Sequence, residues 1–290
     1  MHNFLPVLAL VFNAFVWGVS WWPFRQLHGA GVHPLWATAL VFTLAVVGLL
    51  LARPGVFTRT RAYPALWLLA LSSGLTNVAF NWAVTVGDVV RVVLLFYLMP
   101  LWAVLLARVV LKEPLTVMAG VRIALALGGA LVVLAPSGGG WPVPRTLADG
   151  LGLLGGLTFA FNNVMLRKQA ASSPGARALA MFSGGVIVAG VSAGVMAGQG
   201  LVGWPSLPSW GWCLPLAGMA LLFFASNMSL QFGATRLPAN VTAVVMLTEV
   251  PVAALSALWL GGGSLNLLTA LGGLAILAAA MLAAWERRPG

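Results

Sequence analysis

Ten long apolar segments make up most of this 290-residue chain, and short breaks rich in Gly, Pro, Arg or Ser separate them. Each segment is close to the ~20 residues that an α-helix needs to cross a bilayer, and none shows the strict alternation of a barrel strand. The segments are 5–23, 34–52, 64–84, 90–109, 117–135, 148–166, 178–197, 209–232, 239–259 and 267–285. The sequence therefore predicts an all-α polytopic membrane protein with ten transmembrane helices.

The composition excludes most other classes of protein. Only 7% of the residues are charged, whereas a soluble domain carries about 25%. A single cysteine, Cys213, excludes a disulfide framework and a cysteine-based metal site. No P-loop, HExxH motif or buried Ser-His pair accompanies the segments, so we predict no catalytic residues, no cofactor, no metal site and no enzymatic activity. The net charge of +10 comes from basic residues that lie mostly between the segments. This position indicates contact with anionic lipid headgroups and not with nucleic acid.

Lys and Arg are distributed unequally between the two faces that alternate breaks would occupy. Three lie on one face, and eleven lie on the face that carries both termini. The three are Arg25, Arg91 and Arg145, and the eleven are Arg53, Arg59, Arg61, Arg108, Lys112, Arg167, Lys168, Arg177, Arg236, Arg287 and Arg288. Because cytoplasmic loops are enriched in these residues, we predict a multi-pass inner (plasma) membrane protein with both termini in the cytoplasm.

The two halves of the chain resemble each other at a slowly drifting offset. Thr76-Asn77 corresponds to Ser226-Asn227, Asn81 to Gln231, Pro100 to Pro251, and Trp17-Gly18 to Phe159-Ala160. Each half contains five predicted spans, an odd number, so the second half must enter the membrane from the opposite side. We therefore predict two inverted five-helix repeats, residues 1–137 and 138–290, a plan typical of secondary transporters.

Several short motifs in this arrangement resemble a known family. The Trp17-Gly18 pair, Leu98-Met99-Pro100 and the stretch 111–116 (LKEPLT), together with the five-plus-five plan, look like the drug/metabolite transporter superfamily, EamA-type. Glu249-Val250-Pro251-Val252 repeats part of the pattern in the second half, but Gly261-Gly262-Gly263-Ser264 departs from it where the family usually has an acidic residue. The resemblance implies export of amino acids or organic cations, and the aromatic residues of the predicted cavity suggest a YddG-type aromatic amino-acid exporter.

Polar residues inside the apolar segments are the first candidates for a binding site, since they are costly in hydrocarbon unless they face partners or water. Glu249 is the only acid deep inside a predicted span, and it could bind a proton or a substrate ammonium, or be a structural Glu beside Pro251. Amides recur with the same spacing in both halves, at Asn77 and Asn81 and again at Asn227 and Gln231. Asn162 and Asn163 are adjacent, so one faces inward and the other packs, and we favour Asn163 for the cavity.

Aromatic residues and prolines complete the predicted site. Trp17, Trp102 and the nearby Tyr97 lie deeper in their predicted spans than the other tryptophans, which are near segment ends. These three residues could stack on an aromatic or cationic substrate, or pack against lipid and neighbouring helices. Pro100 and Pro251 fall near the centres of the fourth and ninth spans, where each removes a backbone donor and could act as a hinge or as a static kink.

These observations favour a secondary transporter with a central cavity between its two repeats. Its substrate would be a small amphipathic solute, most simply an aromatic or other neutral amino acid, and the chain would act in the bilayer as a monomer. Organic cations, drugs or other metabolites are the alternative substrates. An intramembrane enzyme would need a catalytic cluster at one depth, and a membrane scaffold would need its amide stripes only for assembly.

Overall fold

The structure, a computed structural model, describes residues 4–61, 63–110, 117–135, 141–169, 171–205, 209–234, 236–237 and 245–285. All regular structure within these ranges is α-helical. The helices are α1 (Phe4–Val19), α2 (Trp21–Gly29), α3 (Pro34–Ala52), α4 (Val56–Arg61), α5 (Leu66–Val86), α6 (Val89–Phe96), α7 (Met99–Val110), α8 (Val117–Leu134), α9 (Leu147–Lys168), α10 (Pro174–Gly198), α11 (Trp210–Ala234), α12 (Glu249–Trp259) and α13 (Leu267–Trp285).

Five helical stretches are long and apolar enough to cross a membrane. They are Phe4–Gly29, Pro34–Ala52, Val117–Leu134, Pro174–Gly198 and Trp210–Leu230. Helices α5 and α9 have the length of a span but carry polar residues along it, whereas α12 is shorter than a span. The all-helical membrane class is thus confirmed, whereas the arrangement of ten spans as five plus five stays a prediction.

The fourth and ninth predicted spans differ from the expected continuous helices. Segment 90–109 divides into α6 and α7 at Tyr97 and Leu98, and α12 begins only at Glu249. Pro100 is consequently the second residue of α7, and Pro251 is the third residue of α12. In a first helical turn the missing proline N–H has no helical acceptor to lose, so these prolines start helices instead of kinking them. The Leu247 carbonyl, four residues before Pro251, accepts the Val250 N–H at 3.1 Å.

Hydrogen bonds join several helix ends at one end of the bundle. We call this the far end, because it lies opposite the start of α1. The guanidinium of Arg25, near the end of α2, donates to carbonyls at the end of α5 and after α12. Arg91, near the start of α6, contacts both the end of α8 and the start of α9. At the other end, the first turns of α1 pack against Gly233 at the end of α11.

His33 fixes the start of α3 beside this end. Its Nδ1 accepts the Leu35 N–H at 3.3 Å, and its ring meets Trp82 edge-on with 5.2 Å between centroids. Burial lowers the pKa of the His33 imidazole, and the neighbouring His28 lowers it further. The neutral ring that results keeps a nitrogen lone pair available for capping.

Candidate functional site

Tyr97 and Glu249 meet where the two interrupted segments approach each other. The phenolic O–H of Tyr97 donates to Glu249 Oε2 at 3.1 Å and also lies 3.3 Å from the Met246 carbonyl oxygen. Tyr97 is 2% exposed and Glu249 is 7% exposed, so a carboxyl group and its donor share a closed interior. Tyr97 caps the end of α6 and Glu249 begins α12, so the contact joins the first half of the chain to the second.

A chain of aromatic rings leads to this pair. Trp17 stacks on Phe223 with centroids 4.7 Å apart and meets Phe80 edge-on at 6.1 Å. Phe80 contacts Phe96 at 4.9 Å, and Phe96 contacts Tyr97 at 6.1 Å. The structure thus brings two predicted residues, Trp17 and Tyr97, into one aromatic wall, to which Phe223 of the second half contributes.

Helix α1 also lies directly against the start of α12. A Cβ added to Gly18 would come within 3.0 Å of the Glu249 carbonyl oxygen and 2.8 Å of Val252 Cγ1. The Trp17-Gly18 pair therefore has two separable roles: the indole supplies a stacking surface, and the glycine allows the backbones to approach.

The predicted amides of the first half lie in the interior, where protein groups already satisfy their N–H donors. Asn77 donates to the Ser73 carbonyl of its own helix at 2.8 Å. Asn81 is fully buried and donates to Thr38 Oγ1 at 3.1 Å, while its Oδ1 has no hydrogen-bond partner among the described residues. Spacing placed both amides on one helix face, yet only Asn81 retains a buried acceptor for a further donor.

The adjacent amides at 162 and 163 differ in burial, and Asn163, the one that we favour for the cavity, is not the buried one. Asn162 is buried, and its Oδ1 accepts the Ser72 O–H at 3.3 Å. Asn163 is exposed on α9. The polar contact between α9 and α5 therefore involves Asn162, because helical geometry turns neighbouring side chains about 100° apart.

The remaining predicted residues lie in α7 and α11. Trp102 is half-buried against the apolar cluster that contains Tyr97, and its indole Nε1 finds no acceptor among the described residues. Asn227 is half-buried in α11. Gln231 and Pro100 are helical, but their side chains lie outside the described part of the chain, as does the whole of 111–116.

Asn13 is an interior amide that our sequence predictions omit. It is 1% exposed and donates to the Ser226 carbonyl at 2.9 Å and to Ser226 Oγ at 2.6 Å. Its Oδ1 has no partner among the described residues. Asn13 is the only amide of segment 5–23, so its isolation in an apolar run was the available signal.

Chemically, this interior can recognise an amphipathic solute. The carboxyl of Glu249 can bind an ammonium group or a proton, and the aromatic wall can stack on a ring. Two clefts lie elsewhere in the described part of the chain: one of about 540 Å³ at the far end around Arg91 and Asp149, and one of about 280 Å³ between α5, α7 and α9. Among the described residues, no group of three or more His, Cys, Asp or Glu could hold a metal ion.

Comparisons with known proteins agree with this architecture. No curated protein matches the sequence. Among 15 matching solved chains, one crystal structure of a protein has 16% sequence identity and a TM-score of 0.60, and the match covers 96% of this chain and 95% of that chain. At that identity the likeness shows a shared fold. Residues 4–135 match the model of the EamA-like transporter family, so this part of the chain is similar to that family.

Proposed function

We propose that this chain is a secondary transporter that moves a small amphipathic solute through its interior by alternating access. The observation that carries the proposal is the buried hydrogen bond between Tyr97 and Glu249, 3.1 Å long, at the meeting point of two interrupted helical segments. Secondary transporters place their substrate sites at such interruptions, where half-helix ends and exposed backbone groups supply ligands.

The charge of the site restricts the class of substrate. Glu249 brings one carboxyl group into the interior, and the neighbouring carbonyl of Met246 adds a neutral acceptor. Both groups accept hydrogen bonds, which suits a substrate with an ammonium group. Trp17, Phe80 and Phe223 add a ring surface for the apolar part of the same molecule. An aromatic amino acid has both features, and an aromatic organic cation is the second candidate because it lacks a carboxylate of its own.

Flux into proteoliposomes tests the proposal. With purified protein, we expect saturable uptake of labelled Phe and Trp that exceeds uptake of Thr, and we expect Glu249→Gln to reduce it at least ~10-fold. A change of that size corresponds to the ~1.4 kcal/mol of a lost charge-assisted hydrogen bond. Tyr97→Phe keeps the ring and removes only the hydroxyl, so it serves as the matched variant with a smaller expected loss.

The assay also separates the alternatives. Uptake of aromatic amines without uptake of amino acids would assign the site to organic cations. Uptake that ignores a pH gradient and survives Glu249→Gln would make Glu249 structural. Folded protein that moves none of these solutes would contradict the proposal.

The first turn of α12 offers a test of the hinge. Pro251→Ala supplies an N–H that can donate to the Leu247 carbonyl, four residues earlier, in place of the Val250 N–H that this carbonyl now accepts, and so favours a helix that runs through the interruption. Because Pro251 is exposed, we expect stability to change by less than about 1 kcal/mol. Transport should slow several-fold at saturating substrate while the half-saturating concentration stays constant. An unchanged maximal rate would make the interruption static.

A further inference from the structure

We propose that four residues at the far end form a gate that closes the Tyr97–Glu249 site toward that end of the bundle; this inference rests on the proposed transport function. The four residues, which we call the far-end latch, are Arg25, Asp88, Gly262 and Ser264. They bring α2 and the turn before α6, in the first half of the chain, against the loop between α12 and α13 in the second half.

The two carboxylate oxygens of Asp88 accept hydrogen bonds from different halves of the chain. Its Oδ1 accepts the Arg91 N–H at 3.0 Å and so caps the first turn of α6. Its Oδ2 accepts from the Ser264 N–H at 2.6 Å and from the Ser264 hydroxyl at 3.1 Å. One carboxylate therefore fixes a helix start in the first half and binds a loop of the second half.

Arg25 provides the second connection. Its Nε donates to the Val84 carbonyl at 3.1 Å, and its Nη2 donates to the Gly87 and Gly262 carbonyls. The Gly262 carbonyl also accepts the Val89 N–H at 3.1 Å. The planar guanidinium thus spans three main-chain oxygens, two in the first half of the chain and one in the second.

The three glycines of the loop allow this close approach. Gly261 has a φ of +71°, and a Cβ added to Gly263 would come within 2.9 Å of Asp88 Oδ1. A Cβ added to Gly262 would overlap the Trp21 ring. The departure of 261–264 from the family pattern therefore has a structural reason: the acidic group at this contact comes from Asp88 of the other half, and the loop must be free of side chains to reach it.

Three successive contacts connect the latch to the candidate site. Along α1 and α2, Gly18 packs against the Glu249 backbone, Trp21 Nε1 donates to Ser256 Oγ at 3.0 Å, and Arg25 donates to the Gly262 carbonyl. Each contact joins the first half of the chain to the second and lies about one helical turn nearer the far end than the contact before it. Loss of the Arg25–Gly262 contact would let α12 and the loop after it separate from α2 and would open the site from that side.

Asp88→Asn isolates the gate function. An Asn side chain still caps α6 through its oxygen, but its NH2 group cannot accept from the Ser264 N–H and hydroxyl. Gln26→Ala is the matched control, since Gln26 is the exposed neighbour of Arg25. Accessibility is read at Ser20→Cys, a buried position between Trp17 and Trp21, in a Cys213→Ala background that has no other thiol.

The experiment measures the rate at which an impermeant maleimide labels the full chain in nanodiscs. We expect Asp88→Asn and Arg25→Gln to accelerate labelling at position 20 about 10-fold, and Gln26→Ala to leave it unchanged, because each latch variant removes charge-assisted hydrogen bonds. A second reporter, Ala180→Cys, is buried among residues of the opposite end and should stay slow, which distinguishes local opening from general loosening.

Each outcome decides the proposal. Equal labelling of position 20 in all variants would overturn it, as would equal acceleration at positions 20 and 180. Because labelling needs no substrate, faster labelling at position 20 alone would establish the gate even if no solute tested were transported, and the proposed function would then fail separately.

Discussion

Gly184→Leu is expected to prevent the chain from folding to a monodisperse protein. Helices α5 and α10 cross where Gly74 faces Gly184, and a Cβ at position 184 would overlap the carbonyl group of Ala70. The obstacle is backbone, which cannot rotate away as a side chain can. We expect a loss of at least ~3 kcal/mol, the upper range for overpacking, with a corresponding loss of folded yield.

The same helix supplies the control for this prediction. Gly190 also lies in α10, but a Cβ there would meet nothing within 4 Å. Gly190→Leu should therefore be neutral or slightly stabilising, because leucine is the better helix former by up to ~1 kcal/mol. Gel filtration and thermal unfolding of both variants make the comparison, and comparable yields would contradict the predicted close crossing of α5 and α10.

Arg91→Met is expected to have the second-largest effect on stability. Arg91 Nε lies 2.6 Å from Asp149 Oδ1, its Nη2 donates to Oδ2 at 3.1 Å, and its Nη1 donates to the Val133 carbonyl at 2.8 Å. The Asp149 side chain is only 2% exposed, so the variant leaves a buried carboxylate with two main-chain donors, from Arg145 and Thr146. Breaking a fully buried pair costs about 3–5 kcal/mol, and because the Arg91 side chain is 29% exposed beside the far-end cleft, we expect a smaller loss of about 2 kcal/mol.

Two further variants test the cause. Arg145→Met removes the same charge nearby, but the Arg145 side chain is exposed and reaches only the Trp141 carbonyl at 3.4 Å, so little change is expected. Adding Asp149→Asn to Arg91→Met should recover part of the stability, because the amide removes the buried charge. Thermal unfolding of purified protein measures all of them. Equal losses for Arg91→Met and Arg145→Met would rule out the ion pair as the cause.

Hydropathy predicted the positions of several long helices but not their interruptions. The segment 34–52 coincides with α3, and 117–135 with α8 to within a residue. By contrast, 90–109 reads as one apolar run and divides at Tyr97 and Leu98. The signal was Pro100, which fixes the second residue of a helix as readily as it kinks one, so the sequence alone left both readings open.

Individual residues of the candidate site could be predicted from the sequence, whereas the hydrogen bonds between them could not. Glu249 and Tyr97 were each selected for depth, yet nothing in the sequence shows that the hydroxyl of one reaches the carboxyl of the other. Asn77 is a similar case: repeat symmetry favours it, but the sequence does not show that its Nδ2 donates to the Ser73 carbonyl one turn earlier in α5. Side chains of this type can bond to the backbone of their own helix as well as to a ligand.

The shortness of α6 has a consequence for how the chain is assembled in the bilayer. Its eight residues extend only ~12 Å, less than half the thickness of the hydrocarbon region. The backbone groups at its end would be exposed to lipid if this segment settled alone, which is energetically prohibitive. We therefore expect residues 89–110 to adopt their interrupted shape only with, or after, the arrival of α9, whose Gly156 packs on the Phe96 carbonyl at that end. Folding of the segment 89–110 would thus be completed by a helix translated after it.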